Sequence, residues 1–268
     1  MTDLNDRCPT GIPGLDELME GGFPRNRSVL LSGTSGSGKT TFAIQFLCNG
    51  ILQYNEPGIL ISLEQDPKEL KSDMRKYGFD LDKLEKEGKL VIIDTSLARV
   101  GIIKFDDSPS SSSFTGQPDG SMSLLPDEFD IDKILEIVAS KAKRIGARRV
   151  VFDSLPALDF LLAKHDESKM KYLIRQTLLA VNYRLKASNL TALLITESSD
   201  SATPHDVESY IVDGVVSLVI NEALDDRTVK IKKMRQTCHT LKPKMFEFTD
   251  KGIVVKGAAD SADKKKLF

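Results

Sequence analysis

Eight consecutive residues, Gly33-Thr34-Ser35-Gly36-Ser37-Gly38-Lys39-Thr40, fill the pattern G-x-x-x-x-G-K-[ST] without a mismatch. The pattern has mechanical meaning in one setting, behind a buried strand and ahead of a helix. Ser28 to Ser32 is a short apolar run of the kind expected for a strand buried on both faces, and Thr41 to Leu47 has helical spacing. Glycines let successive main-chain N–H groups converge on one point, and the helix terminus beyond them adds partial positive charge. Such a cradle takes a chain of phosphates. Lys39 is expected to reach the β- and γ-phosphates, and Thr40 to offer its hydroxyl to Mg²⁺. Thr34, Ser35, Gly36, Ser37, Gly38, Lys39, Thr40 and Thr41 form the expected nucleotide-binding run, with a nucleotide's phosphates and Mg²⁺ as ligands.

The rest of the chain supplies a sheet for that loop. Gly58 to Leu63 reads as a second buried strand, followed by a helix that Pro67 opens at a position where its missing N–H costs nothing. Strand Leu90 to Asp94, helix Ile131 to Ile145, strand Val150 to Phe152, a long helix around Met170 to Lys186 and strand Thr191 to Thr196 continue the alternation. Strands alternating with helices imply parallel pairing and right-handed crossovers, hence an α/β fold. The last quarter changes character. Val215 to Ile220, Val229 to Arg235, Phe246 to Phe248 and Ile253 to Val255 are short strands joined by turns such as Asp250-Lys251-Gly252, and an antiparallel extension of the same sheet is expected. One domain is expected over 1–257. Within it, 101–130 carries six acidic residues, one lysine and the run Ser108-Pro109-Ser110-Ser111-Ser112-Ser113, which reads as a mobile acidic loop. Residues 258–268 read as a frayed tail.

Composition narrows the function classes. Of 268 residues 40% are apolar, so disorder of the whole chain is excluded, and no apolar run approaches the length of a membrane span. With 37 Lys and Arg against 39 Asp and Glu, net charge gives no general attraction to nucleic acid. Cys8, Cys48 and Cys238 lie far apart without a C-x-x-C, which argues against a disulfide framework or a zinc site, and the three histidines lack metal-ligand spacing. No apolar segment follows Met1, and a cytoplasmic protein without membrane contact is expected.

A magnesium carboxylate should stand at the end of another buried strand, where a parallel sheet opens to ligand. Asp153, after Val150-Val151-Phe152, meets that description, although a strand-ending Asp can also cap a helix. Glu64 ends the Gly58 to Leu63 strand at the same edge. It is expected to polarise the attacking water and to stand with Thr40 and Asp153 at the metal; helix capping ahead of Pro67 is its alternative. Thr196-Glu197 ends a further strand, as a polar sensor or an ordinary cap. Seven Lys and Arg, and no acid, occupy 227–244. Period-two geometry places Val229, Ile231, Lys233 and Arg235 on one side of their strand, so an apolar side turns cationic at its end. Two cations together suit a phosphoryl group, in the same subunit or a neighbour, with nucleic-acid phosphate as the rival target. His239 stands close enough in sequence to touch nucleotide.

The chain resembles the KaiC-like branch of the RecA-type P-loop ATPases. The matching residues are Gly11-Ile12-Pro13-Gly14-Leu15-Asp16 before Gly21-Gly22, the loop Gly33 to Thr40, Glu64, Asp153-Ser154, Thr196-Glu197 and Lys233-Met234-Arg235-Gln236-Thr237-Cys238-His239. The resemblance implies a RecA-like core, ATP hydrolysis, a hexameric ring and nucleotide between subunits. It also implies that Lys233 and Arg235 act on a neighbour's nucleotide, with Met234, Thr237 and His239 among the contacting residues, and that the activity serves a regulatory or signalling role with a protein partner. Two positions depart from the family's pattern. Glu64-Gln65 stands where paired glutamates are common, leaving one carboxylate for water activation. Ser209-Tyr210 stands where phosphorylating members carry Ser-Thr, so Ser209 is the one matching hydroxyl for a weak autophosphorylation. Two other functions fit the same loop: a recombinase-like DNA-binding ATPase gripping strands through Ser198 to Glu208, which carries no Lys or Arg, and a nucleotide-gated scaffold with negligible turnover.

Overall fold

The computed structural model describes residues 6–95, 122–123, 131–156, 167–197 and 207–257. A short ribbon, β1 (Arg7–Cys8) with β2 (Phe23–Pro24), precedes the main sheet. Next in chain order come β3 (Ser28–Gly33), α1 (Lys39–Tyr54), β4 (Gly58–Ser62), α2 (Pro67–Arg75), α3 (Leu81–Lys86), β5 (Leu90–Asp94), β6 (Met122–Ser123), α4 (Ile131–Ile145), β7 (Arg149–Asp153), α5 (Glu167–Ala187), β8 (Thr191–Glu197) and α6 (Val207–Ile211). The strands β9 (Gly214–Asn221), β10 (Asp226–Met234), β11 (Lys244–Thr249) and β12 (Gly252–Val255) complete the described residues. Most of the expected 101–130 loop, the 258–268 tail and the 198–206 part of the Ser198 to Glu208 loop lie outside them. The described piece of that acidic loop, β6, pairs in parallel with β5.

Among the described residues the sheet has ten strands in the order β12-β11-β10-β9-β3-β8-β7-β4-β5-β6. Those from β9 to β6 run parallel, and β10, β11 and β12 are antiparallel. The expected α/β fold with a mostly parallel sheet and antiparallel C-terminal strands is therefore present. One boundary moves: Val215 to Ile220 belongs to β9, which lies parallel to β3, so the antiparallel extension starts one strand later. Alternation along the strands sends successive side chains to two apolar layers. On β3, Val29 and Leu31 face α1, α2 and α3, whereas Leu30 faces α4 and α5.

The strand order decides where chemistry can happen. Passing from β3 to β4, the chain crosses two sheet positions, which β7 and β8 later fill. The four adjacent parallel strands β4, β7, β8 and β3 thus open on one edge, with Ser62 paired to Asp153 and Gly33 paired to Glu197. At the opposite end, the wholly buried Arg149 anchors α1. Its guanidinium donates to Glu56 at 2.8 Å and to the Phe46 carbonyl at 2.9 Å, and lies over the Phe46 ring. Arg25 pairs with the other Glu56 oxygen at 2.6 Å. Gly50 has no side chain because Arg149 fills the place a Cβ would take.

The strand carrying the cations differs from the period-two reading. A register shift between Ile231 and Lys233 inserts Lys232 as an extra residue. Beyond it the phase inverts: Met234 joins Val229 and Ile231 in the core, and Lys233 turns to the face of α6. Lys233 and Arg235 still share a side, but it is the side away from Val229 and Ile231.

Arg149→Met leaves Glu56 with one of its two cations in a buried site. Its unfolding free energy in urea, without nucleotide, is expected to fall by about 3–5 kcal/mol. A wild-type midpoint and slope would contradict this reading of the anchor.

Candidate functional site

The loop between β3 and α1 is built by local rules. Gly36 and Gly38 adopt φ of 76° and 96°, in the left-handed region where a Cβ is strained. Gly38 is further constrained, because an added Cβ would stand 2.5 Å from Cζ of Phe248. The Phe42 N–H donates to the Gly38 carbonyl at 2.9 Å, which starts α1 directly behind the loop. Lys39 is folded back over the loop, its Nζ donating to the carbonyls of Gly33 and Thr34 at 2.9 Å each. The ammonium and the helix terminus together face a cavity of about 410 Å³.

That cavity unites the phosphate loop with the strand ends. Ser35, Gly36, Gly38, Lys39, Thr40 and Thr41 line one side, and Glu64, Asp153, Ser154, Ile195 and Glu197 line the sheet edge. Glu64 sits in the turn after β4, exposed, ahead of the Asp66 side chain that caps α2 by accepting from the Lys68 N–H at 2.7 Å. Helix capping thus falls to Asp66, and the Glu64 carboxylate instead accepts from the Ser154 hydroxyl. Burial pushes the Asp153 carboxyl up to about 6; the Glu64 carboxylate adds to the rise, while the Thr40 hydroxyl bond and the Lys39 ammonium oppose it. A cluster of hard oxygen donors with a carboxylate unhappy in its buried site suits a small divalent cation that keeps waters and phosphate oxygens as its other ligands. Thr40, Asp153 and Glu64 therefore fit Mg²⁺ by the chemistry of the donor set.

Eight expected residues stand apart from the mouth. Thr34 and Ser37 do not line the cavity, Ser37 being buried beneath the loop against Gly33. Thr196 is buried within β8, so its neighbours Ile195 and Glu197 reach the cavity instead. The segment Lys233, Met234, Arg235, Thr237 and His239 contributes nothing to the lining of its own chain's cavity. Lys233 Nζ donates to the carbonyls of Ser209 and Val212 at 2.9 and 2.8 Å, Met234 is buried, and Arg235 lies beside Asp213. Arg7, from β1, fixes the turn after Arg235 by donating to Thr237 Oγ1 at 2.6 Å and to the Gln236 carbonyl at 2.8 Å.

Two aromatic residues line the cavity without any sequence expectation. Tyr77 follows α2 and Phe248 lies on β11; their ring centroids are 6.4 Å apart at an interplanar angle of 32°. Arg227 stands over the Phe248 ring, 5.4 Å from its centroid. The alternation of Phe246 and Phe248 marks a half-buried strand, but nothing local tells that Phe248 crosses to the loop at Gly38.

Comparison with known proteins agrees with this fold. The family model described as "ATPase: KaiC" matches residues 8–260. A UPF0273 protein of Methanocaldococcus jannaschii is 32% identical over 253 residues, covering 93% of this chain and 96% of the relative. The circadian clock oscillator protein KaiC of Synechococcus elongatus is 34% identical over 249 residues; 91% of this chain is covered, but only 43% of that longer protein. The crystal structure of a KaiC-like protein from Pyrococcus horikoshii OT3 superposes with a TM-score of 0.74 at 36% identity, covering 94% of this chain and 99% of that one. The chain belongs to the KaiC family of ATPases. Among the described residues no helix is long and apolar enough to cross a membrane.

The raised Asp153 value has a sign that can be measured. The folded protein holds this proton more tightly than the unfolded chain, whose value is near 3.8. The resulting stabilisation is full below that value and is lost as pH rises through about 6. In metal-free, nucleotide-free protein, Asp153→Asn should match wild type near pH 4 and exceed its unfolding free energy by about 3 kcal/mol at pH 7. Equal stability at pH 7 would show that the carboxylate is not desolvated.

Proposed function

We propose that this KaiC-family ATPase hydrolyses Mg·ATP at the edge of β4, β7, β8 and β3, within a single ATPase domain over 1–257. A neighbouring copy in a homo-oligomeric ring, a hexamer by family resemblance, completes the site. The observation that carries the reading is the placement of Glu64, Asp153 and the Gly33 to Thr40 loop around one cavity, while the cationic segment of the same chain lies outside it.

The roles follow from position and chemistry. Main-chain N–H groups of Ser35 to Thr41 and the Lys39 ammonium hold the β- and γ-phosphates. Thr40 and Asp153 hold the metal, with Glu64 beside them, and the bound ion would neutralise charge on the phosphate oxygens. Glu64 is exposed, and it orients and polarises the attacking water, with the Ser154 hydroxyl fixing its carboxylate by a hydrogen bond. Tyr77 and Phe248 offer flat apolar faces for the base. From the neighbouring copy, Arg235 brings positive charge to the γ-phosphoryl group, and Lys233, Thr237 and His239 frame the opening, while Met234 anchors the segment in its own core. Regulatory use, with a protein partner that reads the assembled state, is supported by similarity to a circadian clock oscillator protein of which this chain spans less than half.

Mixing two defective chains tests the shared site. Lys39→Ala and Arg235→Ala are each expected to lower ATP turnover by about 10²-fold or more. In a ring assembled from equal amounts of both, about one site in four pairs an intact Lys39 with an intact Arg235 from its neighbour, and turnover should recover to that fraction. No recovery in mixed rings would contradict a site built from two copies.

A further inference from the structure

The assignment of Arg235 to a neighbour's phosphate raises the question of what aims it. Asp213, in the turn between α6 and β9, is wholly buried. Its carboxylate gathers cations from three distant segments: Lys186 at the end of α5 at 2.7 Å, Arg235 after β10 at 3.4 Å, and Arg27 ahead of β3 at 3.5 Å. The main chain repeats the connection. The Asp213 N–H donates to the Ser28 carbonyl and the Arg235 N–H donates to the Asp213 carbonyl, each at 2.9 Å. Backbone and side chain of Arg235 are thus both referenced to one residue, itself tied to the first residue of the strand that ends in the phosphate loop.

The three cations are not equivalent. A buried carboxylate left unpaired is strongly destabilising, and Lys186, the shortest contact, meets that need. Arg235 is half-exposed, at 53%, and it contacts Asp213 through Nη1 alone. Among the described residues the remaining N–H donors of its planar fork have no partner and can face outward. Neutralising a buried charge requires no such surplus of cations. Holding one edge of a guanidinium while presenting the other is what a residue acting on a neighbour's phosphoryl group requires, because the ordering is done before the reaction. Lys233 contrasts with it: its Nζ is committed to the Ser209 and Val212 carbonyls, and burial together with the nearby Arg235 charge pushes its ammonium below the usual lysine range.

We propose that Asp213 is a positioning residue, which grips Arg235 through Nη1 so that the rest of the guanidinium faces the phosphoryl group of the adjacent copy. The inference rests on the proposed two-copy site, and a double-mutant cycle on ATP turnover separates the two. Asp213→Asn should lower kcat about tenfold with KM changed less than about twofold, since a group that aims a transition-state contact leaves ground-state binding alone. In the Arg235→Ala background the same change should lower kcat by less than about twofold, because the residue it acts through is gone. Lys186→Met, which removes the shortest of the carboxylate's cation contacts, should lower the melting temperature and leave kcat unchanged. A tenfold loss repeated in the Arg235→Ala background would mean a general structural role and overturn the proposal. So would wild-type kcat in Asp213→Asn while Arg235→Ala is impaired, leaving the two-copy site standing. Full turnover in Arg235→Ala would overturn both. Should Asp213→Asn fail to fold, a structure of the assembled wild-type protein with a non-hydrolysable ATP analogue decides the matter. Arg235 Nη1 is expected within about 3.5 Å of the Asp213 carboxylate with another nitrogen toward the γ-phosphate; a guanidinium swung clear of Asp213 overturns the positioning role.

Discussion

Main-chain N–H groups converging at the end of one buried strand constrain everything else in this molecule. A strand buried on both faces needs helices above and below, and those helices force parallel crossovers. Parallel strands place all their carboxyl ends at one edge. The cradle at the end of β3 therefore finds β8, β7 and β4 opening beside it, each with a polar residue at or just beyond its end: Glu197, Asp153 and Glu64. Two of those carboxylates, Asp153 and Glu64, repel one another and one is desolvated, which is tolerable where a cation and a polyphosphate are to be bound.

The remaining structure divides between holding that edge and, in the proposed assembly, presenting charge to a second copy. Arg149, Glu56 and Arg25 pin the far end of α1 to the start of β7, so the loop helix and the Asp153 strand cannot slide independently. On the other flank, the antiparallel strands carry two separate loads. Phe248 returns to the loop of its own chain at Gly38 and closes the cavity wall. Lys233 and Arg235, phase-shifted by the extra residue Lys232, point to the α6 face instead. One short sheet extension thus serves the chain's own cavity with an aromatic ring and offers, in the proposed assembly, a cation to the next.

What the sequence makes legible is what local rules determine. The strand, loop and helix around Gly33 to Thr40 are contiguous, and Glu64 and Asp153 are found by asking which apolar runs end in a carboxylate. The KaiC resemblance carries the order of the remaining motifs. Less legible are features that depend on sequence-distant partners. Tyr77 and Phe248 meet across more than half the chain, and neither sits in a pattern that points at the loop. Whether β9 pairs parallel or antiparallel leaves no trace in its own periodicity, because alternation is the same in both. The extra residue at Lys232 looks like ordinary strand sequence, and only pairing with Val215 and Val216 reveals the inversion. Asp213 likewise reads as a turn residue until Lys186, Arg27 and Arg235 are seen around it.

Each of these features bears on the cavity to which the proposed function assigns a phosphate chain. Titration calorimetry of the purified protein with ATP and magnesium tests that assignment most directly. The account predicts a saturable binding heat, weakened at least about tenfold in Lys39→Ala, where a charged hydrogen-bond donor to the phosphates is removed. No heat with the wild-type chain, or an unchanged isotherm in the variant, would contradict it.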